Sequence, residues 1–170
     1  RKLYDKERID TMRVYHSSDI IIGRPDNLHS RNALDFGKGF YVTRLKEQAE
    51  KYAQRYIALG SDAYLHEYEY TPCVDFNMKV FEHYDEEWLR FVCNCRRGGD
   101  DYKQYDVVEG GVANDKVFRT VDLFMSGMIT IEQALQRLIY EVPNNQLCFI
   151  SQPAIDYCLT LVDVTIIKVD

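Results

Sequence analysis

The stretch Leu34-Asp35-Phe36-Gly37-Lys38-Gly39-Phe40-Tyr41-Val42-Thr43 sets two glycines one residue apart at the mouth of an apolar, aromatic run. Glycine adopts positive φ and lets another backbone or a ligand come close, so the pair predicts a tight entry into a strand over Gly39 to Val42. A helix follows at once. Leu45, Ala49, Tyr52, Ala53 and Tyr56 recur on one helical face, Thr43 is placed to cap it, and Gly60 marks its end. The pattern is neither a phosphate P-loop nor the G-x-G-x-x-G dinucleotide fingerprint. Taken alone it is satisfied by a tight turn with no ligand.

The rest of the chain alternates between the two periodicities. Arg13 to His16 reads as a first strand after a charged opening segment with helical character, followed by Ile20-Ile21-Ile22 and a loop through Pro25, Asp26 and Asn27. Ala63 to Tyr70 alternates, with Tyr64, His66, Tyr68 and Tyr70 on one side and Leu65, Glu67 and Glu69 on the other. Asp85 caps a predicted helix that turns Trp88, Phe91, Val92 and Cys95 inward, and Tyr105 to Glu109 is a short strand before Gly110-Gly111. Phe118 to Met125 and Ile131 to Tyr140 are predicted helices, the second opened by a Thr130/Gln133 capping box. Leu147 to Ile150 and Leu161 to Val169 read as buried strands around a short helix from Pro153 to Cys158. Early and late strands around a helical middle predict an α+β domain whose sheet pairs distant parts of the chain.

At 170 residues, with neither a linker nor an internal repeat, the expected organisation is one domain over residues 1–170. The formal net charge of −6 argues against a broad nonspecific nucleic-acid face. No apolar run is long enough to span a bilayer, and the first residues lack the apolar core of a signal peptide. Five cysteines form an odd set without disulfide-scaffold spacing, which favours a reducing cytoplasm. Cys93 and Cys95 lie two apart in a helical stretch, so they read as buried thiols rather than a metal pair.

Three separated segments carry the candidate chemistry: Val14-Tyr15-His16-Ser17, Phe36 to Tyr41, and Asn145-Gln146-Leu147-Cys148-Phe149. Together they resemble the signature segments of the ADP-ribosyltransferase superfamily, of the class whose motif is H-Y-E. Phe36-Gly37-Lys38-Gly39-Phe40-Tyr41 is similar to the F-G-K-G-I-Y stretch of poly(ADP-ribose) polymerase catalytic domains. A wider pattern resembles a bacterial group of such domains associated with toxin and antitoxin settings. It comprises Tyr-His-x-Ser, the Arg31 to Thr43 phrase, Tyr-Asp-x-Val, Val-Ala-Asn-Asp and Asn-Gln, and it spans Val14 to Leu161.

The resemblance implies an ADP-ribosyltransferase-like split mixed β-sheet core with flanking helices, and NAD as co-substrate. It carries nicotinamide stacking onto Tyr41, an adenosine-ribose contact onto His16, and a backbone contact to the nicotinamide amide onto Ser17, where the family usually has glycine. Gly39 and Arg31 join the expected NAD site, Arg31 because a guanidinium matches the diphosphate oxygens; a salt bridge from Arg31 to Asp35 is the alternative. Gln146 falls where the family has its catalytic glutamate. Neutral glutamine supplies hydrogen bonds without the charge that offsets an oxocarbenium-like transition state. Either Gln146 suffices for transfer to one acceptor, or another carboxylate enters, with Asp106 and Glu109 as candidates and Asn114-Asp115 in a nearby loop. These acids read more readily as a solvated strand end and a helix cap than as catalytic groups.

The expected activity is mono-ADP-ribosylation of a macromolecular target with release of nicotinamide, catalysed through His16, Tyr41 and Gln146. The rival is a catalytically weak or inactive NAD or ADP-ribose binding module that acts through protein interaction. Expected partners are NAD, a protein or nucleic-acid acceptor, and an antitoxin or regulatory protein, with no membrane. Tyr15, Tyr52 and Tyr56 read as core residues, and His29, His66 and His83 show no metal spacing.

Overall fold

The computed structural model describes residues 10–168; the charged opening segment and Val169 lie outside them. Seven strands and five α-helices occur among the described residues, in the order β1 (Met12–Ser18), β2 (Phe40–Val42), α1 (Lys46–Ala58), β3 (Ala63–Tyr70), β4 (Met78–Val80), α2 (Glu86–Arg96), β5 (Val107–Gly110), α3 (Asp115–Met125), α4 (Ile131–Leu138), β6 (Gln146–Phe149), α5 (Gln152–Cys158) and β7 (Leu159–Ile167). A 3₁₀ turn at Asp101–Gln104 precedes β5.

The strands form two sheets. One is antiparallel, in the order β1-β3-β7; the other is mixed, in the order β2-β6-β5-β4, with β4 and β5 parallel. A single bridge between Tyr15 and Thr43 ties β1 to β2 and so joins the sheets. The fold is therefore a mixed α+β arrangement, as the alternation of periods predicts.

Strand alternation divides the mixed sheet into two working faces. Tyr41, Val108 and Cys148 face α2, α3 and α4, whose Trp88, Leu89, Val121 and Leu138 are fully or almost fully buried. Phe40, Val42, Val107, Leu147 and Phe149 face the other way, toward α5 and toward Val14, Tyr68 and Tyr70 of the three-stranded sheet. Burying each such side chain stabilises the fold by about 1.5–3 kcal/mol before conformational entropy is counted. Helix α1 covers the far face of the three-stranded sheet, where Ala49, Ala53, Ala63 and Leu65 are buried.

Two caps match expectation: Asp85 accepts from the Trp88 amide, and Thr130 with Gln133 forms a full capping box. Three expectations are corrected. Thr43 does not cap α1, because its backbone is bonded to Tyr15 and its Oγ1 accepts from the Leu45 amide; Leu45 occupies the N-cap position without a side-chain bond. Leu45 and Tyr52, expected inward, are 49% and 45% exposed, because only the alanine stripe of α1 touches the sheet. Strand β7, expected buried, leaves Leu161, Val162 and Ile166 exposed, since it is an edge strand with an irregularity opposite Glu67/Tyr68 and α5 shields only its start.

Candidate functional site

The site is built where the two sheets part. Tyr15 and Thr43 exchange both backbone hydrogen bonds, at 2.8 and 2.9 Å. The next pair in that antiparallel register, Ser17 and Tyr41, is not bridged, so β1 and β2 splay into a fork immediately after Tyr15. Backbone groups two residues apart on a strand point to the same edge. The N–H and C=O of Ser17 therefore turn into the fork, as do those of Tyr41.

His16 closes one side. Its Nδ1 lies 2.6 Å from the Tyr41 carbonyl oxygen, and its ring packs on Phe40 with centroids 4.5 Å apart. A carbonyl can only accept, so Nδ1 carries the proton and Nε2 keeps its lone pair. Burial is the main cause that pushes the His16 pKa down to about 4, the Tyr41 carbonyl opposes it, and His66 adds to the fall. The imidazole is thus neutral near pH 7, with Nε2 an acceptor. His66, fully buried beside it, accepts from the Ile22 amide on Nε2 and turns Nδ1 toward the His16 carbonyl at 3.3 Å.

Ser17 is fixed from behind, where its hydroxyl donates to the Ala49 carbonyl at 2.5 Å and so ties β1 to α1. Helix α1 then presents Gln48, Tyr52 and Tyr56 at four-residue spacing, one row along its surface. The Tyr52 and Tyr56 rings meet edge to face at 5.9 Å, and the Arg55 guanidinium lies over Tyr52. Burial first, then Tyr52 and Asp19, push the Tyr56 phenol up to about 12, while Arg31 pulls it back. Asp19 and exposed Arg31 thus stand near the far end of the row. Reading Tyr52 as core missed it; spacing alone does not separate a buried helical stripe from an exposed one.

The other end of the row meets Gln146. Gln48 Nε2 donates to the Asn145 carbonyl at 2.8 Å and to Gln146 Oε1 at 3.3 Å, and its Oε1 accepts from the Asn145 amide at 3.3 Å. Asn145 in turn accepts from the Arg44 amide and donates to Glu109. Glu109, 8% exposed, takes a fork from Arg44, with Nε at 2.6 Å from Oε1 and Nη2 at 2.8 Å from Oε2. Glu109 therefore does reach the neighbourhood of Gln146, but with its oxygens committed to Arg44 and Asn145.

The remaining expected site residues make these contacts. The Tyr41 hydroxyl donates to the Gly37 carbonyl at 2.6 Å and accepts from the Phe36 amide, which closes the glycine turn on itself; burial drives this phenol far above its usual range. Gly39 gives its amide to Ser30 Oγ, and a Cβ there would meet Cys148 Sγ and the Phe149 carbonyl oxygen at 2.5 Å. Its need is close strand packing. Asp35 does not pair with Arg31: it holds Arg96 at 2.6 Å and the Ala113 amide at 2.6 Å, anchoring the glycine turn to α2. Asp106 accepts from the Asn77 amide and belongs to a turn before β5, while Asp115 is exposed at the start of α3 with φ of 40°. Cys93 and Cys95 are both buried free thiols, because α2 lies inside the core rather than on it.

Two surface depressions lie apart from the fork, one along α4 and one of about 520 Å³ between residues 23–25, α5 and the start of β7. No group of three metal-ligating side chains occurs among the described residues, and no helix there is long and apolar enough to cross a membrane.

A family model described as "Protein of unknown function (DUF3990)" matches residues 12–160, from the first residue of β1 into β7. The chain belongs to the DUF3990 family. The span matched by the DUF3990 model contains the fork, the α1 row and the Arg44–Glu109 pair. No curated protein and no solved structure matches the chain.

Proposed function

We propose that this protein is an NAD-dependent mono-ADP-ribosyltransferase with an ADP-ribosyltransferase-like split sheet, which transfers ADP-ribose to a macromolecular acceptor and releases nicotinamide. The observation that carries the reading is the fork itself. Three segments that resemble those of that superfamily, distant in the chain, come together: His16 reaches the Tyr41 carbonyl, while Ser17 and Gln146 both bond to α1, at Ala49 and Gln48.

The fork suits the ligand. An unbridged strand edge at Ser17 offers a donor and an acceptor for a carboxamide, which carries the complementary pair. The half-exposed Tyr52 ring, which already carries the Arg55 guanidinium over it, is the aromatic surface proposed for a cationic pyridinium ring. The neutral His16 accepts a ribose hydroxyl on Nε2, and Arg31, whose charge is felt at Tyr56, supplies a fork of donors for the diphosphate. Clamping NAD in this way lowers the barrier mainly by orientation, as the acceptor attacks the ribose carbon and the bond to nicotinamide breaks with its electron pair leaving on the ring nitrogen. Five free cysteines suit a reducing cytoplasm, and an antitoxin or other regulatory protein remains the proposed partner.

A second reading, an NAD or ADP-ribose binding module with little or no catalysis, is favoured by one observation. Gln146 is uncharged and the nearby carboxylate Glu109 is paired. The test is incubation with labelled NAD and cell extract, with calorimetry alongside, for the wild type, Tyr52→Ala and Gln146→Ala. Transferase activity predicts micromolar-range binding, nicotinamide release and label on protein or nucleic acid, each reduced in both variants. Binding of NAD or ADP-ribose without release or transfer supports the module, and absence of binding to either in calorimetry overturns both readings.

A further inference from the structure

The geometry points to Gln146 as a hydrogen-bond donor toward the ligand in the fork, with Gln48 as the positioning residue that sets this polarity. The inference rests on the NAD reading for the ligand, while the polarity rests on backbone partners alone.

Amide side chains can be turned over, so their polarity must come from groups that cannot. A peptide N–H only donates and a peptide carbonyl only accepts. Gln48 meets both on a single residue: its Oε1 takes the Asn145 N–H and its Nε2 gives to the Asn145 carbonyl. Reversing the Gln48 amide would set donor against donor and acceptor against acceptor. The second N–H of Gln48 then faces Gln146, which must answer with Oε1. Gln146 Nε2 is left with two protons, and no hydrogen-bond partner for it occurs among the described residues.

The Asn145 side chain is fixed by the same logic. Its Oδ1 takes the Arg44 amide, and its Nδ2 gives to Glu109, a carboxylate already gripped by the Arg44 guanidinium. Two amides are thus oriented independently, the Asn145 side chain by the Arg44 amide and Glu109, and Gln48, with Gln146 after it, by the Asn145 backbone. A glutamate at 146 would present only acceptors to a ligand. Gln146 presents donors. It therefore selects a ligand group with an oxygen lone pair at this point, a ribose oxygen in NAD, and it discriminates through binding.

The test combines calorimetry with NAD and side-chain amide exchange measured by NMR. In the free protein, the Gln48 side-chain amide protons are expected to exchange slowly and those of Gln146 at nearly the rate of exposed glutamine. NAD should then shift and protect the Gln146 protons. Gln48→Glu removes the donor and lets the Gln146 amide turn over, and Gln146→Glu removes the donor outright. Each is expected to weaken NAD binding about tenfold, roughly the loss of one hydrogen bond. Gln48→Glu should have no further effect in a Gln146→Leu background, whereas a purely structural role would weaken binding in both backgrounds. Slow exchange at Gln146 with fast exchange at Gln48 overturns the polarity whether or not NAD binds. Unchanged affinity in Gln48→Glu overturns the positioning role. If the wild type binds no NAD, the functional reading and the ligand half of this inference fall together, and the exchange pattern still decides the polarity.

Discussion

The imidazole Nδ1 of His16 lies 2.6 Å from the carbonyl oxygen of Tyr41, across the fork where β1 and β2 cease to pair. This contact substitutes a side chain for the missing Ser17–Tyr41 ladder step. It holds the fork open while satisfying one of its carbonyls.

A pH dependence follows. Histidine in the unfolded chain titrates near 6.5, whereas His16 is held down to about 4 and His66 is also lowered, in both cases chiefly by burial. Between those pH values the unfolded chain binds more protons than the folded one, so stability is complete above about pH 6.5 and declines as pH falls toward 4. The decline attributable to His16 should be on the order of 2 kcal/mol, read from urea titrations at pH 7.0 and 4.5. His16→Gln should flatten this dependence; an unchanged slope would remove the assignment.

Asp35 carries a second prediction. It joins the glycine turn to Arg96 on α2 and to the Ala113 amide, and both charged side chains are largely buried, at 10% and 14% exposure. Asp35→Ala leaves a buried guanidinium and a peptide N–H unpaired, so a loss of about 3–5 kcal/mol is expected in equilibrium unfolding. Arg31→Ala, which removes an exposed guanidinium, should stay within about 0.5 kcal/mol of the wild type in the same experiment.

The Arg44–Glu109 pair is more accessible on one side, since the Arg44 side chain is 39% exposed against 11% for Glu109. Removing the guanidinium should cost more than removing the carboxylate, about 2 kcal/mol against about 1, because Arg44→Ala leaves the buried Glu109 carboxylate with Asn145 Nδ2 as its remaining partner, whereas Glu109→Ala leaves a guanidinium that water reaches. A double-mutant cycle by chemical denaturation measures the pair directly. Equal effects of the two single variants would contradict the asymmetry.

Gly39→Ala places a methyl against the Phe149 carbonyl and Cys148 Sγ, and the carbonyl cannot rotate away. A destabilisation of roughly 1–3 kcal/mol is expected, with β2–β6 amides losing protection in hydrogen exchange before the rest of the sheet. Gly23→Ala, which meets nothing within 4 Å, serves as the comparison and should be close to neutral.

Several elements were legible because their signal is local. The alternation over Ala63–Tyr70 returns as β3 with the same bounds, and the Asp85 and Thr130 caps act within three residues of themselves. The glycine turn before Phe40 was legible for the same reason. Strand β4, three residues long, has no period to read and exists because β5 offers it a parallel edge.

What the amino-acid sequence determined by itself was most of the elements and the α+β class, since periodicity, caps and glycine spacing are short-range constraints on the backbone. Tertiary structure alone decided what those residues do. It turned Tyr41 back onto its own turn, gave Asp35 to Arg96 rather than Arg31, exposed Tyr52, and paired Arg44 with Glu109 across 65 residues. Each outcome depends on which side chains meet across the fork and between the two sheets. No local spacing encodes that meeting, because it arises only when distant strands bury their apolar faces together.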